Sequence, residues 1–128
     1  MLCRILLIAL CGALGAVARY ATGVACIRLL GGRFAYGTLT VNVVGCLLLG
    51  LLMQLAQRGG SFSGGLTHAA LSVGFLGALT TFSTFGYETL HYFQTNRPGL
   101  AVLNVTANVV LGLAAAWVGV HLAERMYR

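Results

Sequence analysis

Four long apolar runs separated by short polar or glycine-rich segments account for nearly the whole chain. They cover residues 3–30, 36–57, 66–95 and 100–123. A helix needs about 20 apolar residues to cross a bilayer, so the pattern predicts four transmembrane helices in one domain spanning residues 1–128. The turns fall at Gly31-Gly32-Arg33, in the Gly- and Ser-rich segment 58–65, and at Asn96-Arg97-Pro98-Gly99, the last a stop-and-turn signal. The third run is long: about 30 residues make roughly 45 Å of helix against a hydrocarbon core of about 30 Å.

Its centre is also unusual. Gly74 and Gly77 are followed by Thr80, Thr81, Ser83 and Thr84, set around Phe82 and Phe85. Glycine weakens a helix, and Thr and Ser offer its backbone competing hydrogen bonds. Loosened backbone at membrane depth is tolerated only inside protein or beside a water-filled path. Length and composition together predict a break over Gly77–Thr80, near the bilayer midplane.

Polar and small residues elsewhere fall into stripes. Gly12, Gly15, Arg19 and Gly23 share one face of the first helix. Small residues permit close helix approach, and an Arg within such a seam faces protein or water unless it snorkels to the interface. Thr38, Asn42 and Cys46 recur every four residues in the second helix, and Asn104, Asn108 and Gly112 do so in the fourth. A buried Asn needs partners for its amide, so Asn42 is either glue between helices or part of a polar path.

Composition fixes the solvent. The chain is 59% hydrophobic and 8% charged, against about 25% charged in soluble domains. Lipid must therefore cover it. The net charge of +6 comes entirely from Arg. Most of these arginines flank apolar runs as headgroup anchors, with no Arg-rich face interleaved with aromatics, so nucleic-acid binding is rejected. Cys3, Cys11, Cys26 and Cys46 form no C-x-x-C pair and read as packing residues. Arg4, an apolar stretch and Ala16-Val17-Ala18 imitate a signal peptide, but the apolar pattern resumes after Arg19, so a retained helix is expected.

Arg4, Arg58, Arg125 and Arg128 fall on one side of four helices; Arg28, Arg33 and Arg97 fall on the other, with Arg19 near them inside the first helix. This near-balance gives no preferred orientation, which permits insertion both ways and an antiparallel homodimer. Counted from the helix ends, Asn42, Asn108, Phe82 and Phe85 share one level between the midplane and the first loop. Arg19 and Glu88 lie further out at similar depth, where the two can meet. An anion crossing here needs Asn amides and Thr or Ser hydroxyls in place of hydration water. The electropositive ring edges of Phe82 and Phe85 can assist, although spacing alone favours core packing for both rings. A cation at the break would take backbone carbonyls.

Three segments carry a resemblance: Gly12-Ala-Leu-Gly15-Ala-Val-Ala-Arg19-Tyr20, Gly37-Thr38-Leu-Thr-Val-Asn42-Val-Val-Gly45, and Gly74-Phe-Leu-Gly77-Ala-Leu-Thr80-Thr-Phe82-Ser83-Thr84-Phe85 with Glu88. Over its full length the chain resembles the Fluc (CrcB) family of fluoride channels. The resemblance implies a dual-topology homodimer with two antiparallel fluoride pores in a bacterial inner membrane, passively exporting fluoride that entered as hydrogen fluoride. It implies that Phe82 and Phe85 contact fluoride, with Asn42 nearby, and that Ser83, Thr84 and helix-4 polar residues form a hydrophilic track. Relatives use Ser or Thr in the helix-4 part, where this chain offers Asn104, Thr106 and Asn108, of which Asn108 is favoured. Arg19 is placed at the pore vestibule, with Glu88 assigned there too. A structural Na⁺ on the dimer axis would be held by the carbonyls of Gly77 and Thr80. The alternative is a small dual-topology, proton-coupled multidrug exporter, which needs a deep acid; Glu88, towards a helix end, is the sole candidate. A non-transporting assembly subunit is a third reading. No nucleophile–base or metal constellation points to an enzyme.

Overall fold

The computed structural model describes residues 1–57 and 65–126, and four helical spans run through them: Leu2–Leu30, Tyr36–Gln57, Leu66–Gln94 and Pro98–Met126. Segment 58–64, with Arg58, and residues 127–128, with Arg128, lie outside the described residues. We label the helices α1 (Leu2–Leu30), α2 (Tyr36–Gln57), α3 (residues 66–79), α4 (Phe82–Gln94) and α5 (Pro98–Met126). The long apolar helices make this a membrane protein.

The ends follow local chemistry. Gly31 closes α1 in a left-handed conformation (φ 81°), and its N–H donates to the Ile27 carbonyl at 3.0 Å. Only glycine takes that geometry without a Cβ penalty. Asn96 (φ 57°) ends α4: its N–H donates to Phe93 O at 3.1 Å and that of Arg97 to Tyr92 O at 2.8 Å. This is the paired Schellman closure, with Asn in glycine's place. The turn is thereby complete by Arg97, and α5 starts at Pro98 rather than Leu100. Proline suits the first helical position, where a missing N–H costs nothing.

α2 and α5 pack along most of their length through small residues. A Cβ on Gly119 would strike the Leu47 carbonyl and come within 2.8 Å of the Leu51 nitrogen. Gly119→Val should therefore force the pair apart. We expect unfolding in detergent to become easier by ~2 kcal/mol, the usual size of overpacking; an unchanged SDS-denaturation midpoint would show that the seam yields freely. α1 packs instead on α3, where a Cβ on Gly15 would strike the Phe75 carbonyl.

α3 is not a regular helix. Leu66–Ala69 forms an α turn, Ala70–Leu76 is wound as a π-helix, and Gly77–Leu79 returns to α. Ser72 Oγ donates to the His68 carbonyl at 2.7 Å, where it competes with the backbone, and the Gly77 N–H reaches back to Ser72 O. The chain then leaves helical geometry at Thr80 (ψ 158°) and Thr81 (φ −151°, ψ 118°) before α4 begins. The interruption is therefore real and falls at the late end of the expected Gly77–Thr80 range, on Thr80 and Thr81. Gly77 is itself helical (φ −62°, ψ −33°), and the extended residues are the two β-branched threonines, which tolerate that conformation well.

Candidate functional site

The Thr80–Thr81 interruption is held open by a side chain from α2. The Thr81 N–H donates to Asn42 Oδ1 (2.9 Å), and Asn42 Nδ2 donates to the Thr81 carbonyl (3.2 Å). One amide thus meets both backbone groups of one residue, as a neighbouring strand would. In an unbroken helix the Thr81 N–H would go to the Gly77 carbonyl; here it goes to Asn42 instead. Thr81 also caps α4. Its Oγ1 accepts from the Thr84 N–H at 3.2 Å, with Thr84 Oγ1 at 3.0 Å and Ser83 Oγ at 3.3 Å. Such a cap satisfies one of the four orphan donors of a helix start. Thr80 fits because residue 45 is glycine: a Cβ there would strike the Thr80 methyl.

Two cavities flank the interruption, and Thr81 lines both. The smaller, about 350 Å³, is walled by Asn42, Asn108, Phe82, Phe85, Gly77 and Thr80, among others. Six of the ten site residues expected from sequence thus come together. The rings of Phe82 and Phe85 are tilted at 53° with centroids 5.5 Å apart. Phe82 is 83% exposed in the isolated chain, so it is not filling this chain's own core. Asn108 sits beside Asn42, whose Nδ2 donates to Asn108 Oδ1 at 2.9 Å.

The larger cavity, about 670 Å³, lies towards the α1–α2 turn and contains Arg19, Glu88, Thr84, Thr38 and Arg97. Arg19 and Glu88 share it without the direct meeting their depth predicts. Glu88 Oε1 accepts from Thr38 Oγ1 at 2.9 Å, and Glu88 Oε2 is buried with no hydrogen-bond partner among the described residues. Arg19 reaches towards the interruption, Nη1 lying 3.5 Å from the Thr80 carbonyl. Matching depth does not fix the rotation of two helices about their axes, which decides such a pairing. Ser83 lines neither cavity; it is exposed and touches Thr81 Oγ1.

Three polar residues of this region were not singled out as site residues. Thr81 could have been found as the Thr three residues before Thr84 at a helix start. Thr38 shares the Asn42 stripe, four residues earlier. Asn104, four residues before Asn108, is 0% exposed, and its Nδ2 donates to Thr89 Oγ1 at 2.9 Å.

Known proteins resemble this chain over nearly its whole length. The model of the family described as "CrcB-like protein, Camphor Resistance (CrcB)" matches residues 6–120. The chain is 49% identical to the fluoride-specific ion channel FluC of Dehalococcoides mccartyi, over 94% of this chain and 92% of that one. It is 44% identical to the protein of the same name from Acidobacterium capsulatum, over 96% and 98%. The FluC of Geobacter metallireducens is also 44% identical, over 95% and 98%. These relatives are named as channels, not enzymes or exporters of organic cations. With the family model covering most of its length and relatives this similar end to end, the chain belongs to the CrcB family, whose bacterial members named above are fluoride-specific ion channels.

Proposed function

We propose that this chain is a fluoride channel that passively exports cytoplasmic fluoride across the bacterial inner membrane and so relieves fluoride toxicity. The observation that carries the reading is the smaller cavity, where two Asn amides and two Phe rings converge beside interrupted backbone. Fluoride binds water strongly, so a path must offer strong donors at close range. Asn42 and Asn108 carry amide N–H groups whose present oxygen acceptors an ion would displace, and ring edges of Phe82 and Phe85 add positive potential without holding the ion tightly. Arg19 in the larger cavity draws anions towards the mouth. Thr84, beside Glu88 and the Thr81 hydroxyl, continues the polar wall, and Ser83 extends it.

The working unit in this reading is an antiparallel homodimer with two pores. The near-balance of arginines on the two sides supports dual insertion. So does an open face: Gly77 and Phe82 line the smaller cavity and are both exposed in the single chain. A structural Na⁺ on the dimer axis fits the same place. With the Thr81 N–H given to Asn42, the Gly77 carbonyl lacks its helical partner, and a bare carbonyl suits a hard cation. The Thr80 carbonyl faces Arg19 on one side and retains a second lone pair. When bound there, Na⁺ would supply fixed positive charge, and the main-chain carbonyls of Gly77 and Thr80 would hold it. Replacing Na⁺ by N-methylglucamine should lower the unfolding temperature of the purified dimer and promote its dissociation on size exclusion. Equal stability in both salts would remove the ion from the account.

The function itself is tested by fluoride release. Liposomes containing the purified protein and loaded with potassium fluoride should empty within seconds once valinomycin is added, read by a fluoride electrode. Release no faster than from protein-free vesicles would reject the reading.

A further inference from the structure

A single hydrogen-bond chain runs behind the smaller cavity, and all of its donors point the same way. The Thr81 N–H donates to Asn42 Oδ1 (2.9 Å), and Asn42 Nδ2 to Asn108 Oδ1 (2.9 Å). Asn108 Nδ2 donates to Asn104 Oδ1 (3.1 Å), Asn104 Nδ2 to Thr89 Oγ1 (2.9 Å), and Thr89 Oγ1 to the Phe85 carbonyl (2.8 Å). Both ends are main-chain groups. An N–H can only donate and a carbonyl can only accept, so the direction cannot reverse. Turning any one amide end for end would set oxygen against oxygen or N–H against N–H at its neighbours.

Asn42 and Asn108 line the cavity; Asn104 does not. It is wholly buried behind them and is the link between Asn108 and the Thr89–Phe85 end. It grips Asn108 Nδ2 twice, through its side-chain oxygen and through its own main-chain carbonyl at 3.0 Å. Both N–H groups of Asn42 are engaged as well, with Thr81 O and Asn108 Oδ1. An ion entering the cavity must therefore exchange with an amide oxygen already in place. Aligned hydrogen bonds polarise one another, which strengthens the donors at the cavity end.

We propose that Asn104 is a positioning residue for fluoride conduction, fixing the orientation of Asn108 and, through it, of Asn42. This rests on the fluoride-channel reading above. Removing the side chain would leave Asn108 with the Asn104 main-chain carbonyl and the Asn42 amide as partners, without the side-chain acceptor that ties it to the Thr89–Phe85 end.

The test compares four variants in fluoride-loaded liposomes, each as a ratio to wild type at the same pH after subtraction of protein-free leak. Asn104→Leu, of equal size, should lower flux about tenfold, the scale of one misplaced hydrogen bond. In an Asn108→Ala background the same change should cost nothing further, because its effect passes through Asn108. Asn104→Asp is the conservative probe. Protonated, its O–H donates to Thr89 and its C=O accepts from Asn108, reproducing the Asn pattern. Ionised, it has no donor and places negative charge behind the ion path. The Asp ratio should therefore rise towards one as pH is lowered and fall as pH is raised. If the Leu variant does not fold, the Asp titration decides alone. Wild-type flux in Asn104→Leu, additive losses in the double variant, or a pH-independent Asp ratio would each overturn the proposal. A wild-type protein that passes no fluoride would instead reject the channel reading itself.

Discussion

Asn42→Ala is expected to reduce fluoride efflux about a hundredfold, equivalent to roughly 2.7 kcal/mol of lost stabilisation along the path. Three bonds disappear with one amide: from the Thr81 N–H, to the Thr81 carbonyl, and to Asn108 Oδ1. The first two hold the interrupted backbone in its extended form. Without them the Thr81 N–H can return to the Gly77 carbonyl, and the third span then tends towards continuous helix. The third bond orients Asn108 in the cavity wall. The four-helix fold should survive, because Asn42 takes no part in the Gly119 seam between α2 and α5. Asn42→Asp should fail as well. It keeps an acceptor for the Thr81 N–H but offers no donor and adds charge that repels an anion. Initial efflux rates on size-exclusion-pure protein check both; wild-type rates in Asn42→Ala would reduce Asn42 to glue between helices.

Phe82→Ile and Phe85→Ile should each lower flux by about tenfold or more, on the scale of a lost specific contact. Isoleucine keeps most of the apolar volume and removes the ring quadrupole, so the change isolates the electropositive edge. Phe82 is the sharper case. At 83% exposure in the single chain it contributes little to the chain's own core, and its replacement should leave secondary structure untouched. Phe85, half-buried beside it, carries some packing too, so its loss should show a small destabilisation alongside the loss of flux. Elution as a dimer with unchanged efflux in both variants would mean that the rings serve only as packing.

How far the sequence could be read follows from where each property originates. Helix spans come from hydropathy and length, and three of the four starts and stops fell within a residue or two. The fourth helix begins earlier than the Asn96-Arg97-Pro98-Gly99 signal predicts, because the turn has already closed on Asn96 and leaves Pro98 free to start the helix. Gly77 and the Thr cluster pointed to an interruption, but its position was set by Asn42, 39 residues away in sequence. No local propensity encodes that partner. The four-residue spacing placed Asn104 and Asn108 on one stripe; only the three-dimensional structure shows which of them faces a cavity and which stands behind. Arg19 and Glu88 were placed at the same depth, and they do line one cavity. Their actual partners, Thr80 and Thr38, depend on helix rotation.

In this reading the chain conducts fluoride itself, as a bare ion moving down its gradient. The most direct measurement is electrical. Purified protein in a planar bilayer, with a fluoride gradient, equal chloride and no pH difference, should pass current that reverses near the fluoride equilibrium potential. Current reversing at zero, or fluoride movement that carries no current and requires a proton gradient, would contradict the account.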